Sequence, residues 1–161
     1  MARGNEISAG LLVFRREPRL EVLLGHPGGP YWARKDDGAW SIPKGLVEQG
    51  ADLLATARRE FSEETGLSAD GEFIALAPVR QKSGKLVHAF AVEADLDLAG
   101  FASNTFEIAW PAKSGRRQSF PEIDRIQYFD VPTALRKIIP YQQPFICELA
   151  ERLGEALPAS W

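Results

Sequence analysis

The order of hydrophobic and polar positions predicts a strand-rich start to the chain. Residues 7–15 form an apolar run typical of a buried strand, and residues 20–24 form a second one after a charged turn. Two such runs separated by a short turn predict a β-hairpin. Residues 26–38 are rich in Gly, Pro and charge, which predicts an ordered surface loop.

Helical spacing begins after a short extended segment at residues 40–43 and a loop through Gly50. The following apolar residues recur every three or four positions, which predicts an amphipathic helix over residues 51–65. Gly66 is placed to end that helix. The apolar stripe consists of Leu54, Ala57 and Phe61.

The second half alternates between strand and helix patterns without a regular βαβ order. This arrangement predicts an α+β fold, in which a mixed β-sheet is flanked by helices. The length of 161 residues favours one domain over residues 1–161. The predicted strands are 72–80, 85–95, 105–110 and 125–130, a basic polar loop covers 111–121, and the predicted helices are 132–139 and 144–157.

Composition and charge narrow the classes of partner. Hydrophobic residues make up 45% of the chain and charged residues 25%, as in an ordinary globular protein. A net charge of -3 makes binding to long nucleic acid unattractive, because no basic excess neutralises a phosphate backbone. The apolar run at residues 7–14 is too short to span a membrane, and no targeting signal precedes it.

Cysteine use points to a reducing compartment. Cys147 is the only cysteine, so the chain forms no internal disulfide, and the cytoplasm is the expected location. The sequence leaves a homodimer open as an assembly.

Three carboxylates are crowded on the predicted helix. Glu60, Glu63 and Glu64 fall on one strip of its surface, because a helix advances about 100° per residue. Like charges at this spacing repel one another. One explanation is a solvated acidic face, and the better one is a bound divalent cation.

The segment that contains these glutamates resembles the Nudix box, the signature of the Nudix hydrolases. Gly45 comes first, followed by the run from Arg59 to Leu67, and every defined position of the signature is filled except one. The preceding segment, residues 40–45, is also similar to the family. The resemblance covers nearly the whole chain and implies the Nudix fold, an α/β/α sandwich.

The exception is Ala51, which stands where the family has its first glutamate. In the family that glutamate supports the site rather than supplying the core metal ligands. Glu48 and Asp52 are nearby candidates to replace it. Each has an alternative role as an ordinary charge at a helix N-terminus, and that interpretation is slightly favoured.

The resemblance implies a metal-dependent hydrolysis of pyrophosphate bonds. Mg²⁺ or Mn²⁺ would neutralise anionic phosphate oxygens and acidify a water molecule. Hard oxygen ligands suit both ions. The implied ligands are Glu60, Glu63, Glu64 and the carbonyl of Gly45, and the candidate general bases are Glu64 and Glu122.

Several basic and aromatic residues are candidates for the remaining roles. Arg59 is expected to pair with Glu63, and the alternative is a routine surface salt bridge. Lys44 resembles a family lysine near the phosphates, and the alternative is a solvated loop lysine. Candidates for holding a base and phosphates are Tyr31, Trp32, Arg34 and Lys35, although loop aromatics more often cover the core, and the loop from Lys113 to Arg117 offers further basic charge.

The resemblance implies an enzyme that cleaves a nucleoside diphosphate linked to another moiety. The preferred substrates are dinucleoside polyphosphates or nucleoside triphosphates, because residues 40–45 are similar to family members that act on such compounds. The alternatives are ADP-ribose-like sugars, oxidised nucleotides, and capped or triphosphorylated RNA ends, of which long RNA suits the acidic chain less well. The alternative is a catalytically impaired Nudix-like domain that binds a nucleotide, which Ala51 motivates. An accidental match on a charged surface is the third hypothesis, and His26 and His88 are expected to be structural or incidental.

Overall fold

A computed structural model describes residues 6–161. The strands of seven or more residues carry β-branched or aromatic residues, which favour extended backbone. The strands are β1 (Ile7–Arg15), β2 (Glu21–Pro27), β3 (Lys44–Leu46), β4 (Ile74–Ala75), β5 (Val79–Arg80), β6 (Leu86–Glu93), β7 (Thr105–Ala109), β8 (Arg117–Pro121) and β9 (Ile123–Asp130).

Three α-helices connect or follow the strands in the described part of the chain. Each of the first two begins at an aspartate whose carboxylate accepts a backbone N–H, Asp52 for one and Asp130 for the other. Short 3₁₀ turns lie at Leu98–Gly100 and Pro140–Gln142. The helices are α1 (Leu53–Thr65), α2 (Val131–Lys137) and α3 (Gln143–Arg152).

Within residues 6–161, seven strands form one mixed sheet. The order is β4-β6-β1-β2-β9, with β3 beside β1 and β5 beside β6. Strand β1 runs parallel to β6 and antiparallel to β2 and β3. Among the described strands, β7 and β8 pair only with each other, as a separate two-stranded sheet.

Alternation along β1 sends its side chains into two cores, one on each face of the sheet. Leu12 and Phe14 pack in the core that α2 and α3 cover, whereas Leu11 and Val13 pack in the core that contains Phe61 of α1. The molecule is therefore a mixed sheet flanked by helices on both faces, which confirms the predicted fold class.

The structure corrects three of the predicted elements. The strand expected over residues 72–80 is two short strands, because Pro78 cannot donate to a ladder and Ala77 N–H donates to the Glu148 carboxylate instead. The loop expected over 111–121 contains β8. The last helix ends at Arg152, five residues before the predicted end, and Gly154 follows with φ +71°.

Candidate active-site cleft

A cleft of about 170 Å³ brings together residues from three separate parts of the chain. Lys44 comes from β3, Glu64 from the last turn of α1, and Glu122 from the junction of β8 and β9. The cleft is also lined by Gly25, Pro27, Ser41, Ile42 and Ile123.

Close backbone packing places Lys44 at the cleft. Strand β3 pairs with β1 at Gly10, and a side chain on Gly10 would overlap the Pro43 carbonyl and lie 2.7 Å from Lys44 Cβ. A glycine is therefore required for β3 to approach β1 this closely. The prediction of a loop at Lys44 and Gly45 was wrong, because a three-residue strand leaves no periodic signal.

Helix α1 is fixed at both ends, which holds its carboxylates in a defined direction. Asp52 accepts the N–H of Ala55 at 2.8 Å, and Gly66, at φ +72°, donates to the Ser62 carbonyl. Phe61 is 1% exposed and docks the helix on the sheet. The carboxylates are therefore carried by a rigid element.

Glu64 is the most perturbed acid of the site. Burial raises its pKa to about 8, and the negative charges of Glu60 and Glu122 and a hydrogen bond with Glu60 add to the effect, while Lys44 opposes it. Without a cation, this carboxyl group is therefore largely protonated near neutral pH. An acid whose pKa is strongly shifted by burial and by neighbouring charges is a common feature of functional sites.

Glu60 lies against the backbone of Gly45. Its side chain is 16% exposed, and a Cβ atom at Gly45 would overlap its carboxyl group. Arg59 Nη2 donates to Glu60 Oε2 at 3.1 Å. The absence of a side chain at Gly45 thus leaves the space in which Glu60 sits.

Glu122 and Lys44 complete the electrostatics of the cleft. Glu122 as a whole is exposed, but desolvation of its carboxyl group, followed by the charge of Glu60, raises its pKa. Burial lowers the pKa of Lys44, and Glu64 and Glu60 counteract that effect. One cation and three carboxyl groups therefore share a confined space.

Glu63 lies away from this group. Its side chain is 47% exposed, and Arg59 Nε lies 3.8 Å from Glu63 Oε2. Because Arg59 also contacts Glu60 at a shorter distance, its stronger interaction is with a different glutamate from the one predicted. Glu63 is held to the rest of the molecule through its backbone carbonyl, which accepts the N–H of Asn104.

A divalent cation fits the chemistry of the cleft, although no closed cage is present. Within residues 6–161, no group of three or more His, Cys, Asp or Glu side chains is arranged to hold a metal ion. The oxygen donors of Glu60 and Glu64 are nevertheless hard ligands, and their mutual repulsion is what a cation would offset. A small movement of flexible side chains would be needed to close the site.

Neither candidate replacement for the missing glutamate lines the cleft. The Asp52 carboxylate caps α1, and Glu48 lines a different groove, together with Leu46 and Ala51. Ala51 is exposed, and its N–H donates to the Glu48 carbonyl. Asp52 therefore has the role of an ordinary helix N-terminal charge.

The residues expected to hold a base lie beside the cleft rather than in its lining. Tyr31 is 59% exposed and packs edge-on against Trp110, with 5.3 Å between the ring centroids. Lys35 Nζ lies 4.9 Å from the centre of the Trp32 ring. Arg34 is exposed.

His26 is fully buried and joins three segments. Its Nδ1 lies 2.8 Å from Asp124 Oδ1, its Nε2 lies 2.6 Å from the Lys35 carbonyl oxygen, and its ring packs edge-on against Trp40. The sequence offered no charged or histidine partner at a recognisable spacing, because these contacts join β2 to β9 and to a loop. Ser41, which lines the cleft, was also not predicted as a site residue.

A comparison with protein-family models matches the NUDIX domain over residues 4–149. The chain belongs to the Nudix family. This assignment confirms the resemblance that the glutamate-rich helix and its preceding glycine suggested.

A curated relative supports the assignment over part of the Nudix domain. The RNA pyrophosphohydrolase of Caulobacter vibrioides is 40% identical over 60 residues, which cover 34% of this chain and 35% of that protein. The chain therefore matches about a third of that relative's length.

Solved Nudix structures share the fold at low sequence identity. A binary complex of the C. elegans Ap4A hydrolase superposes with a TM-score of 0.63 and 19% identity, covering 91% of this chain and 98% of that one. The NUDIX domain of Shewanella oneidensis NrtR complexed with ADP ribose has a TM-score of 0.58 and 16% identity, covering 91% and 87%. At these identities the likeness concerns the fold alone.

No helix in the described residues has the length and apolar character needed to cross a membrane.

Proposed function

We propose that this protein is a metal-dependent Nudix pyrophosphohydrolase that cleaves a nucleoside diphosphate linked to another moiety. The observation that carries the proposal is the cleft lined by Glu64 and Glu122, with Glu60 beside it. Burial, and after it the charges of Glu60 and Glu122, raises the pKa of Glu64 there to about 8. Such crowding destabilises the protein without a cation. A cation bound in the cleft during function would offset the repulsion between these carboxylates.

The residues in and beside the cleft would have different roles in the reaction. Glu60, Glu64 and the carbonyl of Gly45 would hold Mg²⁺ or Mn²⁺, with Glu63 as a further candidate, and Arg59 orients Glu60. A bound divalent ion would neutralise phosphate charge and acidify water. Lys44, which also lines the cleft, would hold phosphate oxygens.

Glu122 is our candidate for the general base. Its raised pKa makes its carboxylate a better proton acceptor than an ordinary glutamate. It projects from a β-strand junction rather than from α1, so it is independent of the helix that supplies the other carboxylates. Glu64 is the alternative base.

Dinucleoside polyphosphates or nucleoside triphosphates are the proposed substrates. The net charge of -3 disfavours long RNA. The proteins compared above carry names that include RNA pyrophosphohydrolase and Ap4A hydrolase, which supports the reaction class but not one substrate. The cytoplasm, a reducing compartment in which disulfides are rare, remains the expected location.

A panel of nucleotides with Mg²⁺ or Mn²⁺ tests this proposal. We expect turnover of at least one dinucleoside polyphosphate or nucleoside triphosphate, with both products identified by mass and the attacked phosphorus identified with ¹⁸O-labelled water. Chelation of the metal should stop the reaction.

The second candidate is a Nudix domain that binds a nucleotide without cleaving it, favoured by Ala51 in place of the family's glutamate. In that case the panel would give no cleavage products with any compound, while a nucleotide would still raise the melting temperature. This outcome would contradict the hydrolase proposal.

A further inference from the structure

Strands β7 and β8 and their connecting turn, residues 105–121, form an arm beside the cleft. The two strands pair from Thr105 with Pro121 at the base to Ala109 with Arg117 near the tip, a ladder roughly 14 Å long. Pro121 is followed directly by Glu122, which lines the cleft. The arm therefore begins at the edge of the candidate active site.

The loop that follows β2 packs on this arm. A Cβ atom at Gly28 would overlap the Pro121 carbonyl, and one at Gly29 would lie 2.9 Å from the Phe106 ring. Farther along, Tyr31 meets Trp110 edge-on. The loop and the arm thus form one surface, which carries an aromatic pair with Tyr31 largely exposed.

This surface is positively charged. Lys113 and Arg116 in the arm and Arg34 in the loop are exposed, and none of the three has a carboxylate within 4 Å among residues 6–161. The nearby acids Asp36 and Asp37 are engaged by Lys137 and Arg136. Local positive charge in a chain of net charge -3 favours an anionic ligand.

Lys113 has an unfavourable backbone conformation. Its φ is +61°, in the left-handed region where glycine is favoured and lysine is uncommon. Gly115, two residues later, has φ +77° in open space. Glycine would adopt this backbone conformation at a lower cost in free energy than lysine does. A lysine at this position therefore favours a functional role for its side chain.

We propose that the arm and the loop together bind the second nucleoside and outer phosphates of a dinucleoside polyphosphate, while the scissile pyrophosphate occupies the cleft. This inference rests on the proposed function and assigns its substrate class. The aromatic pair offers a stacking surface for one base, and the three cations attract a short run of phosphates. A track for a long polynucleotide would need many more basic residues.

Binding of non-hydrolysable analogues tests the inference independently of turnover. The probes are methylene-bridged analogues of diadenosine tetraphosphate and of ATP, each titrated with Mg²⁺ by calorimetry. We expect the wild-type protein to bind the longer analogue about tenfold more tightly than the shorter one, because only the longer one reaches the arm.

Lys113→Gly is the most informative variant, because it removes the positive charge and relieves the steric strain of the left-handed backbone conformation at this position. We expect Lys113→Gly and Trp110→Ala each to weaken the longer analogue about three- to tenfold and to leave the shorter one within twofold. Lys82→Ala, in the exposed turn between β5 and β6, is the matched control and should change neither.

Three results would overturn the inference. The first is equal affinity of the wild type for the two analogues. The second is an equal loss of affinity for both analogues in the arm variants. The third is a larger loss of affinity for a 5′-triphosphorylated RNA than for the dinucleotide analogue in those variants. Failure of the proposed function has a different signature. A protein that binds the long analogue through the arm but cleaves none of the hydrolysable nucleotides would keep the inference and would not be a hydrolase.

Discussion

Glu64 is held where its negative charge is unfavourable, beside Glu60 and Glu122 and away from bulk water. If Glu64 acts as a metal ligand or as a general acid–base, its substitution should lower turnover more than the substitution of any exposed glutamate does. We expect Glu64→Gln to lower turnover by roughly 10²- to 10⁴-fold. Steady-state hydrolysis of the best nucleotide measures the effect.

Glu155→Gln is the control for that experiment, since Glu155 is exposed and distant in sequence from the cleft. A Glu64→Gln variant that retains the wild-type rate would show that the metal and base assignments are wrong. The melting temperature of the Glu64→Gln variant should not be lower than that of the wild type, because the amide side chain carries no charge to be repelled.

The raised pKa of Glu64 also predicts how stability depends on pH. In the metal-free protein the folded state keeps a proton that the unfolded state releases above pH 4.5, so the free energy of unfolding falls as pH rises from about 4.5 to about 8. Glu64→Gln lacks this contribution. We expect thermal melts in EDTA to show a larger decrease in melting temperature from pH 5 to pH 8 for the wild type than for the variant.

Parallel pH profiles for the two proteins would contradict this prediction. Added Mg²⁺ provides an independent check, since a cation that binds the ionised form should restore more melting temperature at pH 8 than at pH 5.

At the scale of elements, helix α1 depends on its cap. Asp52→Ala removes the acceptor of the Ala55 N–H, so we expect a loss of about 1 kcal/mol in the free energy of unfolding. Because the Asp52 carboxylate does not line the cleft, turnover at saturating substrate should stay within about twofold. Urea denaturation and steady-state kinetics on the same samples separate the two effects.

Glu48→Ala is the companion variant and should change neither quantity appreciably. A tenfold loss of turnover from Asp52→Ala, with stability corrected for, would instead assign Asp52 the role of the glutamate that Ala51 replaces.

Elements with a strong hydrophobic pattern were predictable, and those without one were not. Strand β1 has a continuous apolar run, and helix α1 has a periodic apolar stripe that also indicates its buried face. Strand β8, Arg117–Pro121, is mostly exposed and, in the part of the chain that the structure describes, pairs only with β7. Its polar residues therefore predicted a loop. Strand β3 is three residues long and is defined by its partner β1.

At the scale of the whole molecule, His26 joins parts of the chain that are far apart in sequence. It contacts Asp124 of β9, the carbonyl of Lys35, and Trp40. We expect His26→Ala to lower the free energy of unfolding by roughly 2–4 kcal/mol, because two hydrogen bonds and a buried ring are lost. Chemical denaturation measures the change.

His88→Ala is the control, since His88 is half-buried on β6 and makes no side-chain hydrogen bond with the described residues. His88→Ala should lower the free energy of unfolding clearly less than His26→Ala does. Equal losses for the two variants would show that the contacts of His26 contribute nothing beyond ordinary burial.

The sequence by itself determined the family, the fold class and the helix that carries Glu60, Glu63 and Glu64, because these depend on local spacing and periodicity. Only the tertiary structure decided which carboxylates share a cleft. Glu64 of α1 lines the cleft with Lys44 of β3 and with Glu122, which lies between β8 and β9. Glu60 lies beside Glu64, while Glu63 stays exposed next to Arg59. The reason is physical: burial and charge at a site depend on residues that meet only when the chain has folded.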